Sequence, residues 1–228
     1  FAAAYRRHPY GRPVIGFEAD VRAHTQQKML GFYRRCYTPS NLVLSAVGDF
    51  SEPQLRQWAE ELFGGDWGRP STPVLSGVEG PPPARAEEPV RSGRLVQLER
   101  EAVKEAYLHL AFRCPGVDHE DVPALDVLAM VLGQGDGSRL SLEVKRRRSL
   151  CNDVSTWAYT PKDPGILALA IIAPSAKVAA AFDASVQVLR GATQWPVEQT
   201  ELATVQALVE SECVYARETA QGLARRLG

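Results

Sequence analysis

The stretch Cys151-Asn-Asp-Val-Ser-Thr-Trp-Ala-Tyr159, followed by Thr160-Pro-Lys-Asp-Pro164 and then Gly165-Ile-Leu-Ala-Leu-Ala-Ile-Ile-Ala173, decides how the chain folds. Both outer segments are rich in β-branched and aromatic residues, and the piece between them is a short Pro-bearing turn. A turn that short joins strands antiparallel, because a parallel pair needs a crossover of a dozen residues or more. Two strands are therefore predicted, Cys151–Tyr159 and Gly165–Ala173.

Working outward, the flanks are helical. Upstream, a helix from Asp121 carries Val122, Leu125, Leu128, Ala129 and Leu132 at helical spacing. The turn Gly133-Gln-Gly-Asp-Gly137 then leads through Ser138 into a short helix ending near Arg148. Downstream, one helix from Ser175 places Val178, Phe182, Val186 and Leu189 together. A longer one from Pro196 carries Leu202, Val205, Leu208, Val209, Cys213, Ala216 and Leu223. Two more strands, Arg94–Arg100 and Ala106–Arg113, precede the first helix; in the second, Leu108, Leu110 and Phe112 alternate with Tyr107, His109 and Ala111. The order strand–strand–helix–helix thus occurs twice. It predicts an α+β fold, an antiparallel or mixed sheet with helices on one face. The strict β–α alternation of a nucleotide-binding sheet is absent.

Nearer the N-terminus the pattern differs. Thr25 is a capping residue for a helix to Tyr37 with Met29, Phe32, Tyr33 and Cys36 on one face. The apolar run Asn41–Val47 predicts a strand covered on both faces, and it needs partners from elsewhere, since one strand makes no sheet. Ser51 and Gln54 form a capping-box pattern ahead of Leu55, Trp58, Ala59 and Leu62, and Gly64 ends that helix. From there to Gly93 the sequence is rich in Gly, Pro and Ser around Pro81-Pro-Pro83 and supplies no core. The expected organisation is residues 1–65 as the end of one lobe, 66–93 as a linker, and 94–228 as an α+β domain.

Composition narrows the function. The 228 residues carry 26 Lys and Arg against 27 Asp and Glu, a balance that provides no field for nucleic acid or an anionic membrane. No apolar run reaches the roughly 20 residues that span a bilayer, and no signal peptide is readable, so a cytoplasmic or a periplasmic bacterial setting is compatible. The four cysteines, Cys36, Cys114, Cys151 and Cys213, include no C-x-x-C pair and read as free thiols, mostly buried. The histidines His8, His24, His109 and His119 include no pair at helical spacing, and neither orientation of a zinc-protease helix motif occurs, so no metal site is expected. Asp118-His-Glu-Asp121 reads as helix capping with favourable dipole interaction. Lys145-Arg-Arg-Arg148 lacks interleaved aromatics and reads as a solvated helix end. The glycine turn lacks the lysine of a phosphate loop and follows a helix, which leaves a cap-to-cap connection or a peptide-contacting loop.

Nine further pieces carry a resemblance. They are His8-Pro-Tyr-Gly-Arg-Pro-Val-Ile-Gly16, Tyr37-Thr-Pro-Ser-Asn41, Gly48-Asp-Phe50 and Phe63-Gly64, then Ala124-Leu-Asp-Val-Leu-Ala129, Leu132-Gly-Gln-Gly-Asp-Gly-Ser-Arg-Leu140, Ser149-Leu150, Asp163-Pro-Gly165 and the helix beginning at Glu201. In this order they resemble the insulinase/pitrilysin zinc metallopeptidases, in the branch of the mitochondrial processing peptidases. The resemblance implies homologous halves that close over a peptide, with the zinc motif His-x-x-Glu-His upstream of Phe1. Neither ligands nor base map onto this chain, so no catalytic residue, no metal ligand and no cofactor is expected within it, zinc belonging to the parent protein. What remains is a non-catalytic portion shaping the chamber wall, or a part of a catalytically dead scaffold subunit. Its expected partners are a peptide substrate and the catalytic lobe or a homologous half, with no nucleic acid and no membrane. The residues expected to touch peptide are Gly133, Gly135, Gly137, Ser138 and Arg139. Lys145-Arg-Arg-Arg148 and Gln134-Gly-Asp136 depart from the family pattern. The run 42–47 and the apolar faces of its two helices, deprived of their sheet, are expected to dock on the second lobe, to swap between chains in a homodimer, or to expose a sizeable apolar patch.

Overall fold

The computed structural model describes residues 1–64, 88–89, 96 and 103–227. The expected strand Arg94–Arg100 and most of the expected linker lie outside the described residues. The chain divides into two compact units, Phe1–Gln97 with Cys213–Gly228, and Leu98–Glu212.

In the larger unit, β1 (Glu105–Cys114), β2 (Asp153–Tyr159) and β3 (Gly165–Pro174) form an antiparallel sheet of order β1-β3-β2. β3 is central: it pairs with β1 from Glu105↔Pro174 to Cys114↔Gly165, and with β2 from Asp153↔Ile172 to Tyr159↔Ile166. The α+β architecture is the expected one. The β2–β3 connection is tight enough to demand glycine, because a Cβ on Gly165 would sit 1.9 Å from the Tyr159 carbonyl oxygen.

Period-2 alternation separates the sheet into two faces. Val154, Leu169, Ile171 and Ala173 are buried in one cluster with Leu132, Leu140, Val144, Ala181 and Ala184, and Leu108 and Leu110 pack against it. These residues bring α4 (Val122–Gly133) and α5 (Val178–Ala192) onto the sheet. Gly133 closes the α4 contact: a Cβ there would meet the Thr156 amide nitrogen at 2.5 Å. Between α4 and β2, the expected short helix is present, and its Ser141–Arg147 part is π-helical. Two residues beyond its end, Ser149 adopts a positive φ of 50°.

Two capping expectations fail. Asp121 makes no side-chain cap bond to α4; the His119 Nδ1 accepts the Asp121 N–H instead, at 3.2 Å. Pro123 in the first turn of α4 removes one of the N–H groups that a cap would serve.

The smaller unit holds α1 (Glu18–Arg22), α2 (Gln26–Cys36) and α3 (Glu52–Phe63), with the C-terminal part of α6 (Gln199–Glu218) and α7 (Ala220–Leu227). Thr25 caps α2 as expected, its Oγ1 accepting the Lys28 N–H at 3.3 Å. The Ser51 side chain makes no cap bond to α3, so the capping-box reading is wrong for that helix. Pro53 already occupies the first turn and removes one of the N–H groups a cap would serve. α2 and α3 bury none of their residues: Met29 is 62% exposed and Leu62 69%. The expected strand at 41–47 is also absent among the described residues. Its backbone is extended at Leu42 (φ −109°, ψ 133°), but no ladder partner meets it, and Val43 is 77% exposed. Extended backbone becomes a strand only by pairing. Ser45 Oγ donates to the Ala224 carbonyl of α7 at 2.8 Å.

Candidate functional site

The glycine turn leaves α4 at Gly133 and enters the π-helical stretch through Arg139 and Leu140. Gln134 ends α4 with its N–H on the Met130 carbonyl, and Gly135 then adopts φ +75°, a left-handed turn that glycine accepts without strain. Ser138 Oγ donates back to the Gly135 carbonyl at 2.8 Å, and Ser138 is only 5% exposed. Of the five residues read from sequence as a peptide-contact loop, Gly133 and Ser138 are therefore buried. Gly135 and Gly137 are exposed, and nothing lies within 4 Å of where a Cβ would sit on either.

Arg139 points away from the tip. Its Nε donates to Glu201 Oε1 at 2.6 Å and its Nη2 to Glu201 Oε2 at 2.7 Å, a bidentate pair. Nη1 and Nη2 also donate to the Trp195 and Pro196 carbonyls at 3.3 and 3.0 Å. Glu201 Oε2 in turn accepts the Glu198 N–H at 2.9 Å, the return half of a capping box at the start of α6. Hydrogen bonding to Arg139 holds the Glu201 carboxyl below its ordinary range, against the opposing effect of burial. One side chain thus ties the glycine turn to the α5–α6 connection. The sequence shows Glu201 as a helix start, but nothing in it couples two residues 62 positions apart.

Each cation of the basic run has a carboxylate partner nearby. Lys145 faces Asp153 at 3.7 Å, Arg146 faces Asp136 of the glycine turn at 2.9 Å, and Arg147 and Arg148 share Glu143 at 3.1 and 2.8 Å. Hydrogen bonds from Arg148 and then Arg147 hold the Glu143 carboxyl below its usual range. A run with every cation partnered offers a polyanion little.

By register the second face of the sheet carries Tyr107, His109, Ser155, Trp157, Ala170 and Ile172, together with Ala168 and Ile166, which are buried. Tyr107 is 62% exposed and His109 is exposed; the His109 and Trp157 rings meet edge-on with centroids 6.4 Å apart. The Leu108/Tyr107 alternation predicted these two faces, though not which one would be left open.

Other chemistry is sparse. All four cysteines are free, Cys114 and Cys151 buried, Cys36 half-buried and Cys213 exposed. Burial, then the Asp126 charge, pushes the Cys114 thiol up; burial, then Asp153, does the same to Cys151. Raised thiols are poor nucleophiles. Among the described residues no three His, Cys, Asp or Glu side chains are grouped to hold a metal ion. No helix among them is long and apolar enough to cross a membrane.

An antiparallel sheet backed by helices on one face, and exposed at Tyr107 and His109 on the other, defines an α+β domain. Comparison with known proteins places it further: the profile of the peptidase M16 inactive domain matches residues 24–209, and the chain belongs to that family. An uncharacterised zinc protease of Mycobacterium leprae is 30% identical over 168 residues, covering 74% of this chain and 36% of the relative. An uncharacterised zinc protease of Mycobacterium tuberculosis is 29% identical over all 228 residues, half of its own length. In fold, the chain is similar to the crystal structure of a protease from Helicobacter pylori, with a TM-score of 0.83 at 24% identity over 97% of this chain and 52% of that one. The chain spans about half the length, or less, of the relatives it matches.

Proposed function

We propose that this chain is a non-catalytic portion of a zinc metalloendopeptidase, and that the open sheet face is wall against which a peptide lies. Residues 1–65 would close the preceding, catalytic lobe, 66–93 connect, and the domain from 94 onward carry the wall. The observation that supports this most is the asymmetry of the sheet: α4 and α5 pack on one face, while on the other Tyr107 and His109 are exposed beside a half-buried Trp157. Aromatic side chains on a rigid sheet give contact area at little entropic cost, which suits an extended peptide. The exposed tip Gly135–Gly137 is a second contact, held in place by Ser138 and Arg139 rather than joined by them.

Zinc is part of the names of the relatives, yet the described residues group no ligand set for it. No step of peptide hydrolysis is assigned to a residue of this chain, and the metal and general base belong to the other half. Tyr107→Ala with Trp157→Ala in the full-length protein tests the reading. Peptide KM should rise on the order of tenfold or more with kcat preserved, the signature of lost uniform binding. An unchanged KM overturns the wall; a full-length protein that binds the peptide without cleaving it assigns the parent to the scaffold class.

A further inference from the structure

The segment Phe1–Gly11 folds into a knot of rings. Tyr5 is 3% exposed, Tyr10 meets it edge-on at 5.7 Å, and the His8 and Tyr10 rings lie 4.1 Å apart. His8 Nδ1 accepts the Tyr10 N–H at 3.3 Å, and Pro9 starts the single 3₁₀ turn that follows. Gly11 passes so close to Tyr5 that a Cβ would meet its carbonyl oxygen at 2.6 Å. These contacts fix the backbone from Tyr5 to Gly11.

Fixing it aims three successive amides at one point. The Arg6 N–H donates to Glu88 Oε1 at 2.7 Å, the Arg7 N–H to Glu88 Oε2 at 2.7 Å, and the His8 N–H to the same Oε2 at 2.9 Å. Both carboxylate oxygens are engaged, and the acceptor comes from 80 or more positions along the chain. Consecutive backbone N–H groups converging on an anion make a nest, and charge-assisted bonds of this length are the strong ones.

We propose that the amides of Arg6, Arg7 and His8 form a carboxylate-binding site, and that Glu88 is its tethered ligand. The pair is a latch: it pins Glu88 to the N-terminal ring knot. This gives the block His8-Pro-Tyr-Gly-Arg12 a physical purpose. His8 and Pro9 set the turn, Tyr10 braces it on Tyr5, Gly11 allows the close pass, and the product is a preformed anion cradle. Both oxygens are used, so the cradle selects a planar carboxylate over a neutral amide.

The test is amide hydrogen exchange and NMR of the full chain, comparing wild type with Glu88→Gln and Glu88→Ala. Arg6, Arg7 and His8 amides should be protected in wild type and lose protection on the order of tenfold or more in Glu88→Ala, with Glu88→Gln between them. Near-UV circular dichroism from the Tyr5–Tyr10 cluster should persist, separating loss of the ligand from collapse of the knot. Acetate titrated into Glu88→Ala at constant ionic strength should then shift those three amides saturably, and chloride should not. Equal protection in wild type and Glu88→Ala, or three amides that respond to acetate no more than other surface amides, overturns the proposal.

Discussion

Replacing Arg139 by alanine removes the four hydrogen bonds that join the glycine turn to the α5–α6 connection, two of them to the Glu201 carboxylate. The side chains of the pair are 18% and 27% exposed, between a surface ion pair and a buried one. A surface pair contributes about 0–1 kcal/mol and breaking a buried one costs about 3–5, so about 2–3 kcal/mol is expected here. Glu201 keeps the Glu198 N–H, which holds the loss below the buried limit. In a domain of this size that shift lowers Tm by about 4–10 °C. Glu201→Gln keeps the shape and loses the charge, so it should cost less, and its cost should depend on pH. The folded-state carboxyl is depressed, chiefly by hydrogen bonding to Arg139. Its stabilisation is therefore complete above the unfolded carboxylate value of about 4.3 and is lost as pH falls through the lower folded value. Thermal melts of wild type and Glu201→Gln should differ near neutral pH and converge in acid. A difference that stays constant down to about pH 3 refutes the assignment of that stability to the charge.

Two further outcomes are expected from the same fold. Leu169→Ala empties the centre of β3 at a residue 1% exposed, and should cost about 2–5 kcal/mol by chemical denaturation. In native protein a thiol reagent should label Cys213 quickly and leave Cys114 and Cys151 unreacted until unfolding, because those two are buried with raised thiols; fast labelling of Cys151 would contradict the buried cluster around it.

Much of the larger unit was legible because its signals are local. The Pro-bearing turn at 160–164, the alternation from Leu108 to Phe112 and the spacing of Leu125, Leu128 and Leu132 each state their element without help from elsewhere. The smaller unit was harder. Its run at 42–47 has the composition of a buried strand, but composition fixes only the preference for extended backbone; pairing depends on a partner, and none is present among the described residues. Caps failed for a related reason. Ser51 and Asp121 are good capping types, yet Pro53 and Pro123 each take away a first-turn N–H that they would accept. In the candidate site, the glycines announced a turn, whereas the clasp from Arg139 to Glu201 and the cradle holding Glu88 join residues 62 and 80 positions apart or more. Contacts at that separation leave no periodicity to read.

We propose that this chain, a member of the peptidase M16 inactive-domain family, does not itself carry the family's zinc. This is tested most directly by metal analysis of the 228-residue chain after dialysis against EDTA and re-equilibration with zinc. The account predicts no stoichiometric zinc here and one tightly held zinc in the full-length protein. One zinc per chain retained by the 228 residues alone would contradict it.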